Sequence, residues 1–553
     1  YNFGNYKSAI SNFKKVLETL GSLPEQIYNY YCTSFLNLGQ YDEGIKETKN
    51  AIEIYENSAE LNNTYGLLLA ANNKKDEALN YFYKTLKLNN YFLPAMVNIA
   101  NTYQDLKQFN KAIDYSKEAL KNHPDILQFN QIIGNCYLNI NKPDESIKYF
   151  KLIAEKSEDP KLCNNYGIAL QRIHNYHLAN HYFLKALNLE NDNYGYLGNL
   201  GNNYALTHNF EKALECFNKG LEIAPGNKDL ISMVGLIKLL TEDFNKGWQL
   251  FEYSLTKNVP FANIPDCKEY NGENLTGKTI LIYSEHGLGD TLQFIRYIPL
   301  LKEKGCNIIF EFQKELAPLL FYTNGYYKPL IKNNFDLKDV KSDYYISLLK
   351  LPRIFCTNIA NIPKLAPIIK LNEALVFKYK SMLNVKKKKI GLVWAGNPIH
   401  PNDHNRSIPF AYLKVLFNSP DTHFYLLQKE NKLFLEEYNV YNNITDLSAE
   451  LTTLENTAAI IFSLDIIVTV DTMVAHLAGT LNKPTYLLLP FLPDWRWLLN
   501  REDSVWYNSI KIFRQINPGD WSFPVEKIYK ELNDNKETRL LEQQIKLLVN
   551  SGK

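Results

Sequence analysis

Two rhythms of apolar and polar positions divide the chain. Up to about residue 255, small side chains recur at Gly44, Ala78, Ala112, Ser146, Ala179, Ala213 and Gly247, in steps of 34, 34, 34, 33, 34 and 34 residues. Most are followed at helical spacing by an aromatic (Phe82, Phe150, Phe183, Phe217, Phe251) and preceded by another (Tyr41, Phe109, Tyr176, Phe210, Phe244). Prolines 24, 94, 124 and 225 fall near the unit ends, where a helix must stop. This spacing predicts a two-helix unit in which a small residue marks the close crossing and the aromatics fill the gap to the next unit.

The second half alternates short β-rich runs with helical stretches. KTILIYSE (278–285), CNIIFEF (306–312) and DYYISLL (343–349) read as strands, and TLQFIRYIPLLKEKG (291–305) reads as one amphipathic helix. After the lysine run Lys386–Lys389 the cycle restarts with KIGLVWAGN (389–397), HFYLLQKE (423–430), DIIVTVD (465–471) and PTYLLLP (484–490). Two successive strand–helix–strand blocks predict two doubly wound α/β lobes facing a cleft, with ligand loops at the carboxyl ends of the strands. The expected boundaries are a repeat array over 1–258, a first lobe over 259–385 and a second over 386–553.

A two-helix unit of 34 residues is the tetratricopeptide signature. A partial copy, NYKSAISNF, opens the chain at Asn5–Phe13, giving about eight units with the first truncated and the last diverged. The chain starts at Tyr1 rather than Met, which leaves room for a leader or further repeats upstream. Asn62, Asn63, Asn98, Asn101, Asn164, Asn165, Asn199, Asn202 and Asn203 recur on the first helices of the units. Their amides suit an extended peptide backbone, although the sequence is rich in Asn throughout.

Composition narrows the function classes. With 61 basic and 59 acidic residues, a net charge of +2 gives no footing for nucleic acid or an anionic membrane. The longest apolar stretch, around Ile460–Val470, is broken by Asp465 and is too short to span a bilayer. Seven scattered cysteines without a CxxC pair point to free thiols in a reducing cytoplasm, not to disulfides or zinc. Gly287 and Gly289 begin a GxGxxG that Leu292 breaks, and no Lys-Ser/Thr follows, so neither a dinucleotide fingerprint nor a P-loop is present.

Several ordered segments carry a family resemblance: SEHGLGDTLQFIRY (284–297), GLVWAGNPIHPNDHNRSIP (391–409), LQKE (427–430), VDTMVAHLAGTLNKP (470–484) and PFLPDWRWLLNREDSVWY (490–507). The stretch from Lys278 to about Trp521 resembles the heptosyltransferase-like glycosyltransferases of GT-B fold (glycosyltransferase family 9), and in particular a bacterial subgroup bearing N-terminal tetratricopeptide repeats. The likeness to eukaryotic-type O-GlcNAc transferases is in architecture only. The resemblance implies an inverting transfer from a nucleotide sugar to a hydroxyl acceptor, with a protein presented by the repeats as first choice. Lipopolysaccharide or other glycan assembly with a docking array, and a scaffold whose lobes have lost activity, are the alternatives.

Such a transfer must stabilise a departing diphosphate and deprotonate a hydroxyl. No two aspartates stand two apart, so no Asp-x-Asp metal motif exists, and a metal-free site served by helix N-termini and cations is expected. Thr472, Met473 and Val474 open a helix after the strand ending at Asp471 and would turn backbone N–H groups to the diphosphate. Arg406 and Ser407, with Gln428 and Lys429 at a neighbouring strand end, add donors. Arg496 is a further candidate, with stacking between Trp495 and Trp497 as its structural alternative. Asp471 is expected to hold the loop by capping the helix, with a secondary role towards the ribose or phosphate of the donor. His476 either donates to the diphosphate or is buried. Asn397, His400 and Asn402 are candidate sugar contacts, and Trp394 in the same block is a further candidate site residue, as are Gly287 and Gly289. The family's proposed catalytic aspartate falls on Asp290, the first choice as base against plain helix capping. His286 is the alternative base, since an imidazole pKa of about 6.5 suits that work.

Overall fold

The structure, a computed structural model, describes residues 5–255, 265–285, 287–321, 325–333, 336–365, 369–400, 402–429 and 441–533. They fall into two compact units, Tyr1–Asn199 and Leu200–Lys553. The division lies within the array, well before the change of sequence pattern at 258.

A single helix, α1 (Tyr6–Leu20), is followed by seven helix pairs, from α2 (Glu25–Leu38) and α3 (Tyr41–Ile54) to α14 (Lys228–Leu240) and α15 (Phe244–Leu255). The expected count of about eight units, the first truncated, therefore holds. Each turn within a pair passes through one left-handed residue: Gly39, Asn73, Lys107, Asn141, His174, His208 and Glu242 have φ between 57° and 70°. Only the first is the glycine that this conformation favours.

A second small position, unnoticed in the sequence pattern, closes each pair. A Cβ on Gly66, Gly134, Gly167 or Gly201 would stand 2.5–2.7 Å from a ring carbon of Phe82, Phe150, Phe183 or Phe217, always 16 residues on. Where the phenylalanine is replaced by Ser116 or Thr48, the glycine position holds Ala100 or Cys32, and all four are fully buried. Ring and glycine are thus one volume-conserving choice.

Unit 2 holds two parallel sheets. The first comprises β1 (Lys268–Glu269), β2 (Thr279–Tyr283), β3 (Asn307–Phe312), β4 (Lys328–Ile331) and β5 (Tyr344–Ser347), in the order β1-β5-β2-β3-β4. The second comprises β6 (Lys388–Val393), β7 (Thr422–Leu426), β8 (Ile444–Asp446), β9 (Ile466–Val470), β10 (Thr485–Leu489) and β11 (Ile510–Arg514), in the order β11-β10-β9-β6-β7-β8. Every strand pairing is parallel. Seven strands fall where the sequence predicts them, whereas β1, β4, β8 and β11 were not anticipated. Both sheets wind one way from their first major strand and then reverse, between β2 and β5 and between β6 and β9. Ligands bind at such switch points in open α/β sheets.

The second sheet is buried on both faces. Ile467, Leu487, Leu489, Ile510 and Ile512 join one apolar cluster, and Ile390, Leu392, Val468, Val470, Leu488 and Phe513 join the other. That alternation explains the continuous apolar runs. The helix expected over 291–305 begins instead at Leu288 and breaks: α16 (Leu288–Phe294) gives way to a 3₁₀ turn, Ile295–Tyr297, and a new helix, Ile298–Glu303. Pro299 sits in the first turn of that last helix, where its missing N–H costs no intrahelical bond.

The last repeats belong to this unit. Phe244, Trp248, Phe251 and Leu255 of α15 share one apolar cluster with both sheet regions. The Trp248 indole donates to the Thr357 carbonyl at 2.8 Å and meets Trp495 edge-on at 5.1 Å, and Arg353 pairs with Glu252. The His208 ring stacks on Phe491 at 4.0 Å.

Candidate functional site

The loops at the second sheet's switch point are built around one glycine. A Cβ on Gly396 would stand 2.5 Å from Asp403 Oδ1 and 2.7 Å from Arg406 Nη2, so only glycine lets the loop close on this pair. Arg406 Nε donates to Asp403 Oδ1 at 3.2 Å, and its Nη1 reaches the Asp471 carbonyl at 3.2 Å. The same loop is tied by Gly396 N–H to Ser407 Oγ (2.9 Å) and by Ala395 N–H to Gln428 Oε1 (3.1 Å). Ser407 and Gln428 therefore use an oxygen each to shape the loop. Lys429 is exposed at the next strand end.

The helix after β9, Met473–Thr480, is capped by Thr472, whose Oγ1 accepts the Val474 N–H at 3.3 Å. The expectation that Asp471 caps it is corrected: that carboxyl is not the cap. Its pKa is raised, first by burial and then by Asp494, while Arg496, the Trp497 indole N–H and Arg406 pull the other way.

Asp290 is the third residue of α16 and not its N-cap, which is Gly287; its Oδ2 accepts the Gly287 N–H at 3.0 Å. Its Oδ1 pairs with Arg496. Arg496 is fully engaged: Nη1 donates to Asp494 at 2.9 Å and Nε to Gln293 Oε1 at 2.7 Å, and the guanidinium lies 4.5 Å from the Trp495 ring and 5.9 Å from Phe294. The predicted sandwich between two tryptophans is replaced by one tryptophan, a phenylalanine and an ion-pair set joining residues of both lobes. Asp494 and Asp290, with Asp471 behind them, drive the arginine pKa up against its burial.

His476 is buried where the lobes meet. Its Nδ1 is 3.0 Å from the Tyr507 hydroxyl, its ring stacks on Trp497 at 5.5 Å, and Gly289 packs on its other side. Burial, then Arg496 and Arg296, holds its pKa well below the usual value, so it is neutral. Of the two expected roles, the structural one fits. Beside it the buried Arg296 donates to the Trp506 carbonyl at 2.8 Å and lies 5.0 Å from the Tyr507 ring.

Trp394 is also corrected: it is buried and packs on Phe410 in the core. Asn397, His400 and Asn402 lie in one loop, where Asn397 Oδ1 accepts the Ile399 N–H and His400 Nδ1 accepts the Asn402 N–H. Asp290, Asp403, Arg406 and Asp494 all act electrostatically on His400, which gathers the predicted residues of both lobes around that loop. His286 lies outside the described residues. No group of His, Cys, Asp and Glu able to hold a metal occurs among the described residues, and no described helix is long and apolar enough to cross a membrane.

Sequence reasoning missed Glu285, just past β2. Burial raises its pKa to about 7, opposed by the Tyr283 and Ser347 hydroxyls and by Lys350 and Lys332. An acidic residue ending an apolar strand was the available signal.

In unit 1 the asparagines bond to one another across repeats. Asn98 Nδ2 donates to Asn63 Oδ1 at 3.0 Å, Asn199 to Asn164 at 2.8 Å and Asn165 to Asn135 at 2.9 Å, while Thr64 donates to Asn29 at 2.6 Å. The ladder thus stitches neighbouring helices together.

Residues 93–125 and 195–227 match family models described as tetratricopeptide repeat. The helical array is accordingly one of tetratricopeptide repeats. Protein FlbA of Caulobacter vibrioides is 23% identical over 322 residues, covering 52% of this chain and 52% of its own length, so the match spans about half of that relative. Among solved structures, the APC/C hetero-tetramer Cut9–Hcn1 matches 46% of this chain and 50% of that chain at 18% identity and a TM-score of 0.37. YrrB, described as a TPR protein with an unusual peptide-binding site, matches 34% of this chain and 96% of its own at 22% identity and a TM-score of 0.29.

Proposed function

We propose that the chain is a metal-independent, inverting glycosyltransferase of GT-B type whose tetratricopeptide array presents a protein acceptor. The observation that carries this reading is the pair of parallel sheets, each reversing strand order beside a predicted site loop, with the two lobes meeting at Asp290 and Arg496. The donor diphosphate would lie between Arg406 and the first turn of helix Met473–Thr480, where a cation and backbone N–H groups favour negative charge. The sugar would face Asn397, His400 and Asn402. The base comes from the loop after β2, on the acceptor side.

A thermal-shift screen with UDP-, GDP- and ADP-linked sugars in excess EDTA tests the reading. A donor at 100 times its dissociation constant adds about 2.7 kcal/mol of stability. No shift with any donor, or a shift that requires manganese, refutes it. A second reading, a repeat scaffold with silent lobes, is favoured by Arg496, whose three donor nitrogens are all engaged within the protein.

A further inference from the structure

A groove of about 500 Å³ opens on unit 2 between helix Glu373–Met382 and the end of helix Leu454–Ser463. Its lining is hydrocarbon from Phe377, Phe462 and their aliphatic neighbours, with Lys370, Lys380 and Glu373 as the polar members. Phe377 is 75% exposed and Phe462 38%. Single exposed apolar side chains are ordinary, but two phenyl rings sharing one open groove mark a surface that meets something.

Cations gather around these rings. Lys380 Nζ stands 5.5 Å and Lys483 Nζ 5.4 Å from the centre of the Phe462 ring. Lys483 is held there by the Phe462 and Leu464 carbonyls, at 2.9 and 2.6 Å. Lys389 pairs with Asp465 at 3.8 Å, and Lys386, Lys387 and Lys388 before it are exposed. Two nearby acids are already engaged: Glu450 pairs with Lys378 at 2.9 Å, and Glu455 accepts from the Asn372 amide at 3.2 Å. The net charge of +2 on the whole chain thus conceals a local excess of lysines.

The chemistry of the lining separates the occupants. A second copy of this groove would set these lysines against their own likes. A peptide main chain would bring N–H groups that need acceptors, and among the lining side chains only Glu373 supplies one. A phospholipid surface needs only what is present, apolar side chains for the acyl boundary and ammoniums on flexible stems for the phosphates.

We propose that this groove is a membrane-docking face, with Phe377 and Phe462 entering the headgroup boundary of an anionic bilayer and Lys370 and Lys380 meeting its phosphates. Docking here is independent of the transferase reading. Phe462 lies four residues before β9 and Asp471 directly after it, so a strand of five residues, about 17 Å at 3.3 Å each, separates the docking face from the site loops.

The test is cosedimentation of the full-length chain with vesicles of phosphatidylglycerol and phosphatidylcholine in equal parts, against phosphatidylcholine alone. The chain should pellet with the first and stay in solution with the second. Raising sodium chloride from about 0.1 M to about 1 M, which shortens the screening length from about 10 Å to about 3 Å, should release it. Phe377→Ser should weaken partitioning about tenfold. Lys370→Gln with Lys380→Gln should weaken it about twenty-five-fold, at about fivefold per lysine. All three side chains are exposed, so thermal unfolding of the variants should match wild type. Wild type that stays in solution with the anionic vesicles overturns docking. So does equal pelleting with the neutral ones, or partitioning that both variants leave within threefold. A wild-type dimer that Phe377→Ser turns into a monomer assigns the groove to a second copy and overturns it as well.

Discussion

Gly289 and His476 touch across the joint between the two lobes: a Cβ on the glycine would stand 2.7 Å from the imidazole Cδ2. The imidazole cannot retreat, since Trp497 stacks on it and the Tyr507 hydroxyl bonds its Nδ1. Gly289→Ala should therefore destabilise unit 2 by about 1–3 kcal/mol through overpacking. His476→Ala opens the space, so the double variant should be more stable than the sum of the single changes by at least about 0.5 kcal/mol. Additive losses in chemical denaturation would show that the two do not meet in solution.

The ring-and-glycine pairing in the array gives a second cycle. Gly167→Ala places a Cβ 2.6 Å from Phe183 and should cost about 1–3 kcal/mol. Phe183→Ser alone should cost about 3–5 kcal/mol by emptying the crossing. Together they reproduce the Ala100 and Ser116 solution already present in the chain, so the double variant should lose clearly less than the sum. Thermal unfolding of the four proteins checks it.

Glu285 also leaves a mark on stability. Its carboxyl keeps a proton up to about pH 7 in the folded chain, against 4.5 ordinarily. Between those values the native state binds more protons than the unfolded one, so its contribution is full below 4.5 and falls away as pH rises to 7. At 1.36 kcal/mol per pH unit the displacement amounts to roughly 3 kcal/mol. The stability of wild type minus that of Glu285→Gln should therefore decline over this window and level off above it. His476, held neutral, acts in the opposite sense, losing stability as pH falls below 6.5, and cancels in the subtraction.

The array was legible because its period repeats the same steric problem seven times, and the central strands because apolar runs bounded by turns admit little else. β1, with two residues, and β8, with three, carry too little pattern to register. The site divided along similar lines. Arg406, Ser407, Gln428 and Asp471 could be placed at the correct strand ends because a β/α alternation fixes where loops emerge. What no spacing discloses is which of those polar groups already satisfy each other. Arg496 and Asp290 are 206 residues apart, and nothing in either neighbourhood announces the other. The two readings of His476, phosphate donor or buried residue, stayed open for the same reason, since its burial comes from Gly289, Trp497 and Tyr507, all remote from its own helix.

Trp248 sets a limit on how the chain can change length. Within residues 25–189, removing one 34-residue period joins faces that already match, because each unit offers its neighbour nearly the same surface. Removing the unit that contains Trp248 instead strips Thr357 of its indole donor and Trp495 of its edge-on partner. The last pair cannot be removed without opening the apolar cluster that Phe244, Trp248, Phe251 and Leu255 share with the sheets.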